Sequence, residues 1–312
     1  MNPALQGYSA AVTEAAGPAA LGGMAADLEA IGQLVLANDQ LRAALSDTAV
    51  PGPARRAVVL DLLDGKVTPA ARRLAAFAAG VVSAPEVVTA LGWVSTRVRH
   101  LAEGQDDEPG LSLLQSRQRV GGYATAVYED MTTSELESME DDLFRFARIV
   151  AATPALRVAL ADRDLDVTAR QGLVTQLLEG KVPQTTLALT RFAVTGGRAR
   201  DIVGTLDFLV EQTAQARGWR IARVVAAAPI EDAQRSALAD SLGSLAGAPV
   251  ELQVEVDASL LSGALIRIGD LQVDATARGR IDALREYFTP SGWDSAGFGR
   301  GHSSQDQTEG AE

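Results

Sequence analysis

The segment LLDGKV, Leu62 to Val67, returns as LLEGKV, Leu177 to Val182, and these two stretches hold the only two lysines of the chain. The spacing is 177 − 62 = 115 residues, and that offset holds without a gap through the first third of the sequence. Gly7-Tyr8 and Ala11-Val12 meet Gly122-Tyr123 and Ala126-Val127, and Asp27-Leu28 meets Asp142-Leu143. Leu41-Arg42, Ala44-Leu45 and Asp47 meet Leu156-Arg157, Ala159-Leu160 and Asp162. Ala54-Arg55 meets Ala169-Arg170, and Phe77-Ala78 meets Phe192-Ala193. Roughly a third of aligned positions are identical, against about a tenth expected for an Ala/Leu-rich composition, so chance is a poor account. The chain up to residue 217 reads as two copies of one domain.

At roughly 90 residues, each copy is longer than a solenoid repeat and can hold a core of its own. The second copy shows how. Leu143, Phe146, Ile149 and Val150 recur at helical spacing with Asp141, Asp142, Arg145 and Arg148 between them, which makes an amphipathic face. Pro154 fits the first turn of a helix, Leu156 and Leu160 continue an i, i+4 stripe, and the run from Arg170 to Leu178 stops at Gly180. Aromatic residues make up only 4% of the chain and hydrophobic residues 47%, which favours closely packed helices with small side chains.

Between the copies, EGQDDEPG (Glu103 to Gly110) cannot build a core and reads as a linker, taken here as 103–118. After Arg217-Gly218 the pattern changes. RIARVVAAAPI alternates from Arg220, a helical run covers Glu231 to Leu245, and ELQVEVD alternates from Glu251 to Asp257. IRIGDLQVD, Ile266 to Asp274, reads as two short strands about the hairpin dipeptide Gly269-Asp270, and Ala275 to Phe288 closes with helical spacing. The predicted fold is mostly α with a small α/β domain. Two homologous helical bundles, 1–102 and 119–217, precede a C-terminal β-α-β-β-α domain over 218–288. The tail 289–312, rich in Gly, Ser and acid, reads as disordered, with Trp293 and Phe298 more simply solvated than part of a docking motif.

A net charge of −12 and the lack of a basic run argue against nucleic-acid binding. Without cysteine there is no disulfide, thiolate nucleophile or thiolate metal site. The N-terminus lacks the pattern of a signal peptide, and no uncharged apolar run approaches the roughly 20 residues of a membrane span.

The search for chemistry is negative. Gly65-Lys66 and Gly180-Lys181 invite comparison with a phosphate-binding loop, but Val67 and Val182 stand at the hydroxyl position. Leu60 and Thr175 stand where the loop's first glycine belongs, and no strand precedes either segment. A helix C-terminus is the simpler account: glycine supplies the left-handed turn and lysine lies near the negative end of the helix dipole. His100 and His302 are too few for a histidine metal site or triad, and no Asp/Glu pair stands out from a solvated helix face. Gly263 and Gly269 with Arg267, Arg278 and Arg280 could be imagined as an anion site, but turn glycines and an exposed arginine edge explain them as well. No cofactor-binding or metal-binding motif emerges, and the reading moves from enzyme towards protein interaction.

The run from Val250 to Arg285 resembles the C-terminal signature of the δ subunit of F-type ATP synthases, the counterpart of the mitochondrial oligomycin-sensitivity-conferring protein. The resemblance rests on apolar Val250, Leu252 and Val256, then Asp257, Leu260, Ser262-Gly263-Ala264, Ile266-Arg267, Gly269 and Arg278-Gly279-Arg280. Ser262 stands where many members carry a second glycine. The second copy is similar to the family's six-helix N-terminal bundle, starting at Tyr123 to Val127, so Val120 to Phe288 resembles a complete δ subunit and Leu5 to Leu101 an added copy of its helical domain. Arginine-rich, lysine-poor usage with this extension suggests a high-GC actinobacterium.

The resemblance implies a non-catalytic peripheral-stalk subunit at the cytoplasmic face of the cell membrane, held there only by partners. Its helical domain would grip an N-terminal helix of the α subunit and its C-terminal domain would meet the b subunit's C-terminal region, so that the head does not turn with the rotor. By the same resemblance the groove lies between the first and fifth helices, which nominates Tyr123, Ala126, Val127, Phe192, Val194, Arg198 and Ile202. Bundle core is the competing explanation for the apolar ones. An enzyme acting on an anion near Arg267 and Arg278, and a regulatory scaffold, are the alternatives. The partner of the first copy stays open; its Gly22-Gly23 and Gly32 mark a diverged second helix.

Overall fold

The computed structural model describes residues 2–105, 112–162, 165–196, 201–246, 249–257, 260, 262–268 and 271–274. The chain divides into two compact units, residues 1–220 and 221–312.

Unit one is helical. Its first six helices are α1 (Pro3–Ala16), α2 (Pro18–Ala37), α3 (Asp39–Ser46), α4 (Gly52–Leu62), α5 (Pro69–Val81) and, after a short 3-10 turn, α6 (Val87–Ala102). The next six are α7 (Leu113–Tyr128), α8 (Thr133–Ala152), α9 (Pro154–Ala161), α10 (Val167–Leu178), α11 (Gln184–Gly196) and α12 (Ile202–Ala216). Adding 115 to the bounds of α2, α3 and α5 gives those of α8, α9 and α11. The breaks are set by local chemistry. Asn2 accepts hydrogen bonds from the amides of Ala4 and Leu5 to start α1, Asn38 caps α3, and Gly17 at φ 74° separates α1 from α2.

The first helices differ between the two sets. α7 starts at Leu113, inside the segment read from sequence as a linker to residue 118. The Ser112 hydroxyl accepts from the Gln115 amide while the Gln115 side chain accepts from the Ser112 amide, a capping box that fixes an earlier start.

Buried positions recur with the offset. Tyr8 and Tyr123, Met24 and Met139, Leu28 and Leu143, Val35 and Val150, Leu45 and Leu160, Leu74 and Leu189, and Leu91 and Leu206 are all buried. The buried Arg55 donates from Nε to the Ala79 carbonyl (2.9 Å) and from its two Nη atoms to Val50 and Val82 (2.6 and 2.7 Å), closing the C-terminal end of α5. Arg170, 115 positions on, reaches the Val194 carbonyl at 3.2 Å. The lysine segments end helices as expected: Gly65 and Gly180 have φ of 65° and 72°, while Lys66 and Lys181 are exposed and donate to the carbonyls of Leu62 and Leu177.

Among the described residues, α2 alone is long and apolar enough to cross a membrane by length and composition. The sequence shows no uncharged run there because Asp27 and Glu29 interrupt it. Leu21, Met24, Leu28, Ile31 and Val35 are buried along one face and Asp27 accepts a hydrogen bond from the Thr68 amide, so packing accounts for the apolarity of that face, while Leu34 and Leu36 are exposed.

Unit two holds β1 (Arg220–Ala226), α13 (Asp232–Ala246), β2 (Val250–Val256), β3 (Ala264–Ile268) and β4 (Leu271–Asp274), with sheet order β2-β1-β3-β4. β3 is antiparallel to both β1 and β4. Alternation sends Ala222, Val224, Ala226, Val250, Leu252, Ile266 and Ile268 to one core with Leu242 of α13. The order is therefore β-α-β-β-β over the described residues. The shorthand β-α-β-β-α undercounts the strands, because the segment 266–274 contributes to two, β3 and β4, paired antiparallel. The expected closing helix at 275–288 and the tail 289–312 lie outside the described residues.

Candidate partner interface

α1 lies along α7, and small residues make the close approach possible. A Cβ added to Gly7 would fall 1.7 Å from the Arg119 carbonyl oxygen, and one added to Gly122 would fall 2.0 Å from that of Ala4. Gly7 and Gly122 are 115 positions apart, and so are Ala4 and Arg119: the same contact is made twice.

The polar contacts repeat in the same way. The Tyr8 hydroxyl donates to Glu129 Oε2 at 2.7 Å, and the Tyr123 hydroxyl donates to Glu14 Oε2 at 2.8 Å. Moving from residue 8 to 14 on α1 moves the contact back from 129 to 123, so the helices run antiparallel about a pseudo-two-fold axis. Each tyrosine also stacks on a phenylalanine of its own set. Tyr8 lies on Phe77 of α5 with centroids 3.8 Å apart, and Tyr123 on Phe192 of α11 at 4.1 Å. Each tyrosine thus stands between the fifth helix of its own set and the first helix of the other.

Charge breaks the symmetry. From α5, Arg73 donates to Glu129 Oε2 (3.1 Å), to Asp130 Oδ2 (2.7 Å) and to the Ala126 carbonyl (2.7 Å), and Arg56 pairs with Glu129 as well. The positions equivalent to Arg73 and Arg56 in the second set are Ala188 and Gln171, so the Glu14 end lacks this clamp. Burial pushes both tyrosine hydroxyls well above their usual range, and the carboxylate at each raises them further. The charge of Arg73 opposes the rise at Tyr8, and that of Arg191 opposes it at Tyr123. Both hydroxyls stay protonated donors at neutral pH.

Of the residues nominated from sequence, Tyr123 and Ala126 are buried, with the Gly7 site of α1 against the Tyr123 amide. Val194 and Ile202 are buried within the second set, while Val127 and Phe192 are partly exposed. Arg198 lies outside the described residues. Sequence reasoning missed Gly7, Glu14, Arg73, Gly122 and Glu129 as contact residues, although the repeated Gly-Tyr dipeptide and the Glu six residues after each tyrosine were there to be aligned.

In unit two the signature residues shape the sheet. The Asp257 amide donates to the Ala226 carbonyl at 2.9 Å, tying the end of β2 to β1. Gly263 takes φ 85° ahead of β3, and its carbonyl accepts from Ala227. Arg267 sits opposite Arg223 in the β1–β3 register; Gly269 lies outside the described residues. Among the described residues, no group of three or more His, Asp or Glu side chains is placed to hold a metal ion.

Comparison with known proteins yields a consistent set. Residues 120–288 match the family model of the ATP synthase delta (OSCP) subunit. ATP synthase subunit delta of Kineococcus radiotolerans is 34% identical over 259 residues, covering 83% of this chain and 85% of the relative. The same subunit of Corynebacterium urealyticum is 33% identical over 78% of this chain and 80% of its own length, and that of Salinispora arenicola 32% over 88% and 91%. A match of 259 residues cannot fit within 103–312, which is 312 − 102 = 210 residues, so the similarity reaches into the first helical set. Among solved structures, a chain of the Toxoplasma gondii mitochondrial ATP synthase hexamer aligns at 16% identity and TM-score 0.39, covering 54% of this chain and 96% of that one.

Proposed function

The chain belongs to the ATP synthase delta (OSCP) subunit family, and from that membership we propose that it is a non-catalytic peripheral-stalk subunit of an F-type ATP synthase. It would link the α/β catalytic head to the membrane-anchored b subunit, so that proton flow is coupled to ATP synthesis. The family match over residues 120–288 carries this reading, because it spans the second helical set and the sheet unit together.

The parts have distinct tasks in this reading. Residues 1–102 and 113–217 are two copies of one helical domain, joined through 103–112, and 218–288 forms the C-terminal domain, with 289–312 as a tail. The N-terminal helix of an α subunit docks along α7 and α11. Val127 and Phe192 form the accessible edge of that site, with Tyr123, Ala126, Val194, Arg198 and Ile202 completing or supporting it. The C-terminal domain receives the C-terminal region of b, with Asp257, Gly263, Arg267 and Gly269 as the residues that carry the family signature there. Attachment to the cytoplasmic face of the membrane comes through these partners.

Reconstitution tests the reading. ATP synthase stripped of its delta subunit should regain proton-driven ATP synthesis when this chain is added; coupling that is the same with and without it would sink the proposal.

A further inference from the structure

The face of α7 that a partner helix would take is covered from within the chain. α1 lies on it, held by the near-contact at Gly7 and by the hydrogen bond from Tyr123 to Glu14. We propose that α1 is the resident occupant of this docking face, and that a partner helix binds there by exchanging with α1. The inference rests on the helix-docking reading of α7 and α11 given above.

The resident helix shows what the face selects. Gly7 and Glu14 are seven residues apart, two turns of one helix, so both project from the same side. Glycine lets the backbones touch where the helices cross, and the carboxylate two turns on accepts from the buried Tyr123 hydroxyl. A competing helix must offer a small residue at the crossing and an acceptor at that distance.

The route of exchange follows from the asymmetry of the contact. At the Glu129 end, Arg56 and Arg73 bond the carboxylate that accepts from Tyr8; at the Glu14 end, uncharged Gln171 and Ala188 stand in their places, and Arg191 acts on Tyr123 through its charge without a hydrogen bond to it. The C-terminal half of α1 is the less firmly held, and Gly17 follows it directly at φ 74°, a joint between α1 and α2. Release therefore starts at Glu14 and proceeds towards Gly7.

The test uses the full chain in three forms: unchanged, Gly7→Ala and Glu14→Ala, the last of which removes the acceptor for Tyr123. A fluorescent synthetic peptide of the α-subunit N-terminus is titrated by anisotropy, and hydrogen exchange of residues 3–16 is followed by mass spectrometry. The expected result is at least tenfold tighter peptide binding by both variants, with faster exchange of α1 in the unchanged chain once peptide is bound. Equal affinity for all three forms, with α1 exchange unaltered, overturns the inference and leaves peptide docking to be placed elsewhere on the chain. Failure of the peptide to bind any form removes the docking reading, and the inference with it. If Gly7→Ala does not fold, Glu14→Ala adds no bulk, deletes the acceptor and decides the question alone.

Discussion

α2 and α8 occupy equivalent places in the two helical sets and share five buried apolar positions, yet they are secured differently. α8 begins with a capping box between Thr132 and Glu135 and carries Glu140, buried beside the buried Arg217 of the α12 C-terminus at 3.4 Å. Arg148 of α8 pairs with Asp207 of α12 at 2.6 Å. In the first set the equivalents of Glu140, Arg217, Arg148 and Asp207 are Ala25, Ala102, Gln33 and Gly92, and α2 begins after Gly17 without a side-chain cap. One helical arrangement is thus compatible with either support: small apolar packing alone, or apolar packing threaded by ion pairs. The shared core positions carry the fold, and these two ion pairs between α8 and the last helix are specific to the second set.

The largest effect should come from breaking that difference. Glu140→Ala leaves Arg217 buried without its nearest carboxylate, at a cost of about 3 kcal/mol in thermal or urea unfolding of the full chain. The paired change Glu140→Ala with Arg217→Ala should cost less than the single one. A single-variant loss below about 1 kcal/mol would remove the ion pair as the distinguishing support.

A smaller effect sharpens what the sets share. Gly65→Ala and Gly180→Ala each force a side chain into left-handed backbone and should each cost about 1 kcal/mol. Unequal losses, compared by melting temperature in otherwise identical chains, would show that the repeated Gly-Lys ending is not one device used twice.

The smallest effect at neutral pH concerns the seam between the sets. The folded chain holds the Tyr8 and Tyr123 protons above the ordinary tyrosine value of 10.0, whereas an unfolded tyrosine loses its proton near it. Above pH 10 the unfolded state therefore binds fewer protons than the folded one, and stability falls as pH rises. This contribution is complete below that pH, so unfolding scans should be flat in this respect from about pH 7 to 9. Tyr8→Phe with Tyr123→Phe should flatten the alkaline decline; an unchanged decline would assign it to other groups.

Much of the fold is legible in the sequence because its signals are local. The 115-residue offset, the Gly-Lys helix endings and the alternation of β1 and β2 each need only a few neighbouring residues to be read. The linker reads too long because its acidic composition outweighs the Ser112 and Gln115 pair that starts α7. The seam is not legible for a different reason. Gly7 and Gly122 look like ordinary weak points in helices, and no period along either helix says that the other will lie against it. Tyr123, nominated from sequence for a partner helix, lies under the chain's own α1.

Arg55 joins three stretches of backbone, through Val50, Ala79 and Val82, from a single buried side chain. A guanidinium is a planar fork with fixed donor directions, whereas an ammonium is one compact point. Lysine at this position would have to reach all three carbonyls from one nitrogen, where the guanidinium uses three. Both lysines of the chain sit instead at exposed helix ends, each donating to a single carbonyl. At these three positions cation and geometry match: the fork stands where three acceptors diverge, and the point where one is enough.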